Sequence, residues 1–448
     1  MTQSADASFP IPYDAAPNES WRAIAAGLRD NALAAFPPRA FEEPAVARSF
    51  AGRRQIILSE PAAIRHVLIE NADNYRRTAS VPRLLRPVLG DGLFLATGED
   101  WRAQRRTVAP AFAPRMLAPV AGHVARACDR LAGELTALGG AEIDLFARLQ
   151  LLALEVAAAA LFSFDIAEGA PALRAEMHAY AAGIGRPGLL DFMLPRGLPT
   201  PRSLARRRFR RRWMACIAEL LAGRRAQPIA DPPRDLYDMM AAAGGGADRL
   251  VEQCATMLVA GHETTAVALF WACHLVAALP DVQRRLAEEA GALDLGPDGT
   301  AAALPGLVYA RAVVDETLRL YPPAFSIVRQ ARRADDAAGV AIPPRAVVLI
   351  VPWVLHRHRR LWRNPDAFDP GRFLPDAEPL ARFSYLPFGT GPRACVGAQF
   401  ALTELVLVLA RLTRDFHIDM ADDRPVLPRA TITLQPDRSP LFRLRPRR

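Results

Sequence analysis

From Ala247 to Leu279 the chain runs about 33 residues without a proline, and the middle of that run carries no charge except near His262 and Glu263. At 1.5 Å per residue a helix of this length spans roughly 50 Å, the width of a whole domain. The rest of the fold has to be built around it. A helix that is apolar on all sides is buried, so a carboxylate in its middle needs a reason to be there.

The surrounding pattern is mostly helical. The 448 residues, 51% hydrophobic and 23% charged, hold enough apolar material for a deep core, which excludes disordered, collagen-like and disulfide-scaffold classes. After a proline-rich entry containing Pro37, Pro38 and Pro44, Arg54 to Leu58 reads as a strand and Pro61 opens a helix through Ile69. Helical patterns then dominate from Trp101 to Leu320, broken at Gly139-Gly140, at the loop Gly183 to Pro201 and at Gly244-Gly245-Gly246. Strand patterns return at Ala346 to Val351, Ala430 to Leu434 and Leu441 to Leu444. The expectation is a mainly α protein with small β-sheets (α+β). No internal repeat or long linker is found, so residues 1–448 read as one domain with a lead-in over 1–40, rather than the two or three domains that length alone suggests.

Five cysteines (Cys128, Cys216, Cys254, Cys273, Cys395) with no C-x-x-C pair fit a reducing compartment. Met1 to Asn18 is polar and lacks the pattern of a secretory signal. Glu155 interrupts the run Leu151 to Phe162, and Glu263 interrupts the run around Leu258. No segment reaches the roughly 18 uninterrupted apolar residues of a spanning helix, so a cytoplasmic location without a transmembrane anchor is expected. The net charge of +9 comes from 56 basic residues, every one of them arginine. The densest run, Arg206 to Arg212 around Phe209, could be a nucleic-acid patch. However, Phe209, Trp213, Cys216, Ile217 and Leu220 share one helical face, which makes a solvated arginine face the expectation and nucleic acid no expected partner.

Three patterns carry chemistry. The first is Phe388-Gly389-Thr390-Gly391-Pro392-Arg393-Ala394-Cys395-Val396-Gly397, followed at once by the helical pattern Phe400 to Leu412. Its glycines let backbone approach a flat ligand and aim N–H groups at sulfur, and a helix N-terminus stabilises a thiolate. A single thiolate presented in this way suits an axial metal ligand. Arg393 could pair with a carboxylate of the ligand while Phe388 packs on its face. An ordinary buried cysteine after a glycine-rich turn is the bland alternative.

The second is Ala260-Gly261-His262-Glu263-Thr264-Thr265, in the middle of the long helix. Thr264 can bond back to the Ala260 carbonyl and, with Gly261, open the helix locally. A hydroxyl and a carboxylate side by side in an apolar setting suit a proton relay. His262-Glu263 begins a zinc-protease pattern, but its fifth position is Ala266, so that reading fails. The third is Glu316-Thr317-Leu318-Arg319, whose two charges share a helix face, together with Arg372 in the turn Phe368 to Phe373.

Together, in this order along nearly the whole chain, these patterns resemble the cytochrome P450 family, in its soluble, bacterial-type, single-domain form. The cysteine loop matches F-x-x-G-x-R-x-C-x-G at every fixed position. Ala260 to Thr265 matches the oxygen-activating motif, Glu316 and Arg319 match E-x-x-R, Arg372 matches the third member of that structural triad, and Trp101 to Arg105 match W-x-x-x-R. The resemblance implies a long central helix over haem b, the cysteine loop beneath it, and Cys395 as the iron ligand. It also implies Trp101, Arg105, Arg329 and Arg393 as propionate contacts, Ala260, Gly261, Phe388, Gly389 and Gly397 as residues against the haem, and Glu263 and Thr264 as the catalytic proton pathway. Gly371 departs from the acidic residue usual beside the third arginine, and the spacing from Arg329 to Asp335 departs by about one.

The activity so implied is monooxygenation: one atom of O2 inserted into a C–H bond of a hydrophobic small molecule. The electrons would come ultimately from NAD(P)H, through a ferredoxin or flavodoxin and its reductase. There is no flavin-type nucleotide fingerprint and no iron–sulfur cysteine cluster, so separate partners and a monomeric oxygenase are expected. Arg102, Arg105, Arg106 and Arg393 would offer those partners a basic face. A peroxide-driven peroxygenase and a non-catalytic haem sensor are the alternatives. The apolar lid Leu189, Leu190, Phe192, Met193 and Leu194 points to a hydrophobic substrate, with fatty acid, terpenoid, steroid and aromatic all open, and the His-Glu-Thr-Thr form resembles that of fatty-acid hydroxylases.

Overall fold

The computed structural model describes residues 8–9, 24, 27, 31–50, 52–164, 166, 170–186, 188–194, 198–244 and 246–447. Most of the 1–40 lead-in, Gly245, parts of the Gly183 to Pro201 loop and the side chains of Leu189 and Phe192 lie outside the described residues. In chain order the helices used below are α1 (Pro61–Arg65), α2 (Ser80–Leu89), α3 (Gly98–Val108), α4 (Leu117–Ala137), α5 (Leu145–Phe162), α6 (Ala170–Ala182), α7 (Leu189–Met193), α8 (Ser203–Leu220), α9 (Ala222–Arg225), α10 (Leu236–Ala242), α11 (Ala247–Ala278), α12 (Pro280–Gly291), α13 (Thr300–Ala303), α14 (Val308–Leu320), α15 (Pro352–Leu355) and α16 (Ala398–Asp415). The result is a mainly helical protein with small sheets.

The long run forms α11, 32 residues without interruption. Asp248 in its first turn complements the helix dipole. It stops where Leu279, next to Pro280, turns extended (φ −130, ψ 80), as a residue before proline prefers. From Ala266 to Ala272 every side chain is buried, because α5, α14 and α16 cover the helix on several sides. Where it passes α5 at Gly261 it uses small residues: a Cβ there would stand 3.7 Å from the Ala157 Cβ. By length and apolarity α5 could itself cross a membrane, but Leu145, Leu149, Ala153, Ala158 and Phe162 are fully buried within the protein. Glu155, the charge that interrupts α5, faces Arg130 of α4 in an ion pair.

The largest sheet has the strand order β1 (Ala45–Phe50), β2 (Arg53–Leu58), β8 (Val347–Ile350), β5 (Ile327–Ala331), β3 (Tyr75–Arg76). β2 and β8 run parallel, pairing Ile56 with Val348, and so join the two ends of the chain. β5 lies antiparallel to β8, with Arg329 opposite Val348. The remaining strands are β4 (Glu142–Ile143), β6 (Asp335–Ala337), β7 (Val340–Ile342), β9 (Phe416–Met420), β10 (Pro428–Ala430), β11 (Leu434–Pro436) and β12 (Phe442–Pro446).

Three elements differ from the sequence reading. The segment Gly183 to Pro201, read as a loop, contains the short helix α7. The helix begun at Pro61 is α-helical only to Arg65 and then widens into a π-turn, His66–Glu70. Ala430 to Leu434 is not one strand: β10 and β11 flank a turn at Thr431–Thr433, whose apolar Ile432 faces a cavity instead of a neighbouring strand.

Candidate functional site

The centre of the fold holds a cavity of about 690 Å³. The cysteine loop forms one wall. It is closed by the Cys395 amide donating to the Phe388 carbonyl at 2.9 Å, and α16 begins just beyond, with Gly397 as its N-cap. Phe388, Gly389, Cys395 and Gly397 all line the cavity, onto which the Cys395 sulfur opens. Burial pushes the thiol pKa up, while the Gly397 N–H and the Arg105 guanidinium pull it down. Nothing comparable steadies Cys273, which burial alone pushes up to about 12. Gly391 does a different job from that read in the sequence. Its φ of +74 and its closeness to the Leu68 carbonyl, where a Cβ would collide, seat the loop on the π-turn rather than on a ligand.

Arginines surround this wall. Arg105 of α3 donates to the Ala394 carbonyl at 3.0 Å. Arg393 donates to the Ala96 carbonyl at 3.0 Å and stacks on Trp101, 4.2 Å from the ring centroid. Arg329 of β5 and Arg77, just beyond β3, complete the set, and all four line the cavity with Trp101. None of the four forms an ion pair among the described residues. Burial lowers all four pKa values; Arg77, beside Arg393 and Arg329, is pushed down to about 9, and Arg393, beside Arg329 and Arg105, to about 10. Guanidinium nonetheless stays protonated near neutrality, so these four positive charges call for anions. Arg105 and Arg393 therefore do not belong to an exposed basic face. Only Arg102 and Arg106 of that group are exposed.

The opposite wall is α11. Ala260, Gly261, Glu263 and Thr264 line the cavity. The Thr264 hydroxyl donates to the Ala260 carbonyl at 2.7 Å, as its position in the helix suggests, although α11 continues without a break. Glu263 accepts hydrogen bonds from Gln435 and Thr433 (3.2 Å) on one oxygen and from Gln150 (3.4 Å) on the other. Gln150 in turn accepts from Arg174 of α6 at 2.7 Å. His262 is buried with neither ring nitrogen hydrogen-bonded among the described residues, and burial lowers its pKa.

Behind the cysteine loop, Glu316 and Arg319 of α14 form a fully buried bidentate pair at 2.6 and 2.7 Å. Arg319 also donates to the carbonyls of His356 (2.9 Å), Pro365 (2.6 Å) and Ala367 (2.8 Å). Glu316 accepts from the Asp369 amide at 2.8 Å, and the Arg372 Nε lies 3.5 Å away. Burial pushes Glu316 up, against these partners. The bidentate guanidinium geometry is the one that matches a carboxylate.

His356 connects this cluster to the loop. The Leu386 amide donates to its Nε2 at 2.8 Å, and its Nδ1 lies 3.2 Å from the Arg319 carbonyl. These partners assign the proton to Nδ1 of a neutral ring, and burial next to Arg319 pushes its pKa down to about 3. Leu386 leads directly into Phe388.

Sequence reasoning missed Arg77, Gln150, Arg174, His356, Thr433 and Gln435. None sits in a diagnostic spacing, and each is brought to the site from a distant part of the chain. The arginine run on α8 is not uniformly solvated either. Arg206 is buried against Asp191 of α7 at 2.7 and 3.0 Å, Arg210 pairs with Glu252 and Arg212 with Glu176, while Arg207, Arg208 and Arg211 are exposed.

Comparison with known proteins gives one answer. A family model described as Cytochrome P450 matches residues 40–441. Cyclooctatin synthase of Streptomyces melanosporofaciens is 33% identical over 395 residues, covering 86% of this chain and 85% of that protein. Pentalenene oxygenase of Streptomyces avermitilis is 31% identical over 370 residues, covering 80% and 81%. The solved structure of retinoic acid bound cyanobacterial CYP120A1 superposes with a TM-score of 0.78 at 26% identity, covering 90% of this chain and 92% of that one.

Proposed function

The chain belongs to the cytochrome P450 family and is a monooxygenase, and from that premise we propose that it hydroxylates a C–H bond of a hydrophobic small molecule, with Cys395 as the thiolate ligand of haem b. The family uses haem and O2. The observation that carries the residue assignment is the pairing of one cavity-facing thiol with four arginines that have no carboxylate partner among the described residues. A flat, dianionic macrocycle with a metal at its centre supplies both the anions and the acceptor for sulfur. Arg77, Arg105, Arg329 and Arg393, with Trp101, would hold its propionates, and Phe388, Gly389, Gly397, Ala260 and Gly261 would lie against its faces.

When bound, thiolate-ligated haem supplies oxygen activation. The protein's own part is to fix the sulfur, exclude water with apolar walls, and deliver protons through Glu263 and Thr264. Glu316, Arg319 and Arg372 hold the backbone behind the loop. Leu85, Leu89, Met257, Ala268 and Ile432 among the cavity residues support an apolar substrate, and the names of the two relatives favour a cyclic skeleton such as pentalenene over a linear fatty acid. Electrons are read as coming from NAD(P)H through a ferredoxin or flavodoxin and its reductase, with Arg102 and Arg106 on the docking face.

The test is spectroscopic. Purified protein, reduced and treated with carbon monoxide, should show the red-shifted Soret band of thiolate ligation, and Cys395→Ser should lose it. A wild-type spectrum without that band would overturn the assignment.

A further inference from the structure

The proton pathway is not connected in this structure. The Thr264 hydroxyl proton is directed at the Ala260 carbonyl, and both Glu263 carboxylate oxygens are occupied by neutral donors from other elements: Thr433 and Gln435 on one, Gln150 on the other. Two of those donors belong to the β10–β11 turn and its edge. The base of that turn is fixed, because the buried Trp271 indole, two turns beyond Glu263 on α11, donates to the Leu434 carbonyl at 2.8 Å, and the Leu434 amide donates to the Pro323 carbonyl at 3.2 Å. Trp271 is itself stacked on Tyr321, with centroids 4.2 Å apart. The tip, Thr431 to Thr433, lines the cavity with Gln435, and Ile432 is partly exposed there.

We infer that Thr433 and Gln435 are positioning residues that hold the Glu263 carboxylate away from Thr264, and that a molecule filling the cavity beside Ile432 moves the tip and releases it. This rests on the reading of Glu263 and Thr264 as the proton pathway. Released, the carboxylate takes a proton from water and passes it toward Thr264, so its protonation is unchanged over a cycle. A hydrogen bond to a charged group is worth roughly a tenfold preference between two positions, enough to keep the pathway mostly open-circuit yet easily displaced. Because the donors are neutral, the release separates no ion pair.

The experiment uses substrate-free, haem-loaded protein supplied with electrons by a surrogate ferredoxin and reductase. Two quantities are read: the oxygen consumption rate in H2O and D2O, and the infrared carboxylate band of Glu263, isolated by subtraction of the Glu263→Gln variant. Thr433→Val, which removes a donor at nearly constant volume, and Gln435→Leu should each shift the band and raise the rate up to roughly tenfold, and Glu263→Gln in either background should cancel the gain. Ile432→Trp, which fills the cavity side of the tip without a ligand, should act in the same direction. Band and rate unchanged in both Thr433→Val and Gln435→Leu would overturn the hold, and an unchanged Ile432→Trp would overturn its release. If Glu263→Gln and Thr264→Ala leave the solvent isotope effect on the rate unaltered, it is the underlying proton-pathway reading that fails.

Discussion

Arg319 and Arg329 belong to the same end of the chain and both carry a full charge inside the protein, but the fold treats them in opposite ways. Arg319 has a bidentate carboxylate, three backbone carbonyls and no exposed surface. Arg329 faces a cavity, has only the Val328 carbonyl for an acceptor among the described residues, and sits near Arg77 and Arg393, charges of its own sign. A buried charge is costly unless paired. A fold that satisfies one arginine completely and leaves four others without a counterion among the described residues separates scaffold from binding site by that criterion alone. The first kind should respond to mutation whatever the cavity contains, and the second only through what it binds.

The largest effect should come from breaking the satisfied cluster. Glu316→Ala leaves Arg319 buried without its carboxylate, which costs about 3–5 kcal/mol against a total stability of about 5–15 kcal/mol. We expect a thermal midpoint lower by about 3–5 °C, in protein with or without haem. Equal midpoints in wild type and variant would show that the cluster is not scaffold.

The next effect separates the cluster from the loop it supports. The neutral His356 ring has a pKa pushed down to about 3, against the usual 6.5, so between these values the unfolded chain binds a proton that the folded protein refuses. Its contribution to stability is therefore fully present above about pH 6.5 and is lost progressively as pH falls toward 3. One pH unit in that window is worth about 1.4 kcal/mol, giving a loss of about 2 kcal/mol between pH 6.5 and 5. Urea midpoints measured across this range should fall less steeply in His356→Gln than in wild type. Parallel curves would remove His356 as the origin of the slope.

The unsatisfied set should show the reverse pattern. Arg329→Gln or Arg77→Gln removes one of several like charges, so the haem-free protein should be no less stable, while haem affinity drops roughly tenfold through the loss of one charge-assisted bond of about 1.5 kcal/mol. Haem transfer to an acceptor globin, followed beside thermal unfolding of the haem-free form, reads both. Destabilisation of the haem-free protein with unchanged haem retention would erase the distinction between the two sets.

What was legible in the sequence follows the same division. The cysteine loop, the Glu263-Thr264 pair and Glu316 with Arg319 stand at spacings that backbone and helix geometry impose; the structure pairs Glu316 with Arg319 directly, while Glu263 and Thr264, adjacent on α11, bond to other partners. Arg77 is unreadable because it follows Arg76 in a run that has no spacing to interpret: Arg76 sits in β3 opposite Gln330, and only the end of that strand delivers its neighbour to the cavity. Thr433 and Gln435 reach Glu263 across about 170 positions of chain, and apolar alternation disguised their turn as a strand. Arg105 and Arg393 read in the sequence both as ligand contacts and as part of a basic docking face, and what separates the two is the Trp101 ring and the carbonyls of Ala96 and Ala394, which hold them at the cavity.

The α8 arginines give the comparison its lower limit. Arg206 and Arg208 are two residues apart in one run, and composition cannot distinguish them. Arg206 lies on the inner face, bidentate to Asp191, and also donates to the Ile184 carbonyl at 2.8 Å, so it belongs with Arg319. Arg208 is exposed and makes no ion pair among the described residues. An exposed charge of this kind gains little from its surroundings, and substitutions away from packed or paired groups usually change stability by no more than about 0.5 kcal/mol. Arg208→Ala should therefore leave both the urea midpoint and haem retention at wild-type values, whereas Arg206→Met should lower the midpoint. A loss in Arg208→Ala comparable to that in Arg206→Met would mean that the outer face of α8 is engaged by something other than water, and the division of arginines into satisfied, ligand-seeking and solvated would need a fourth class.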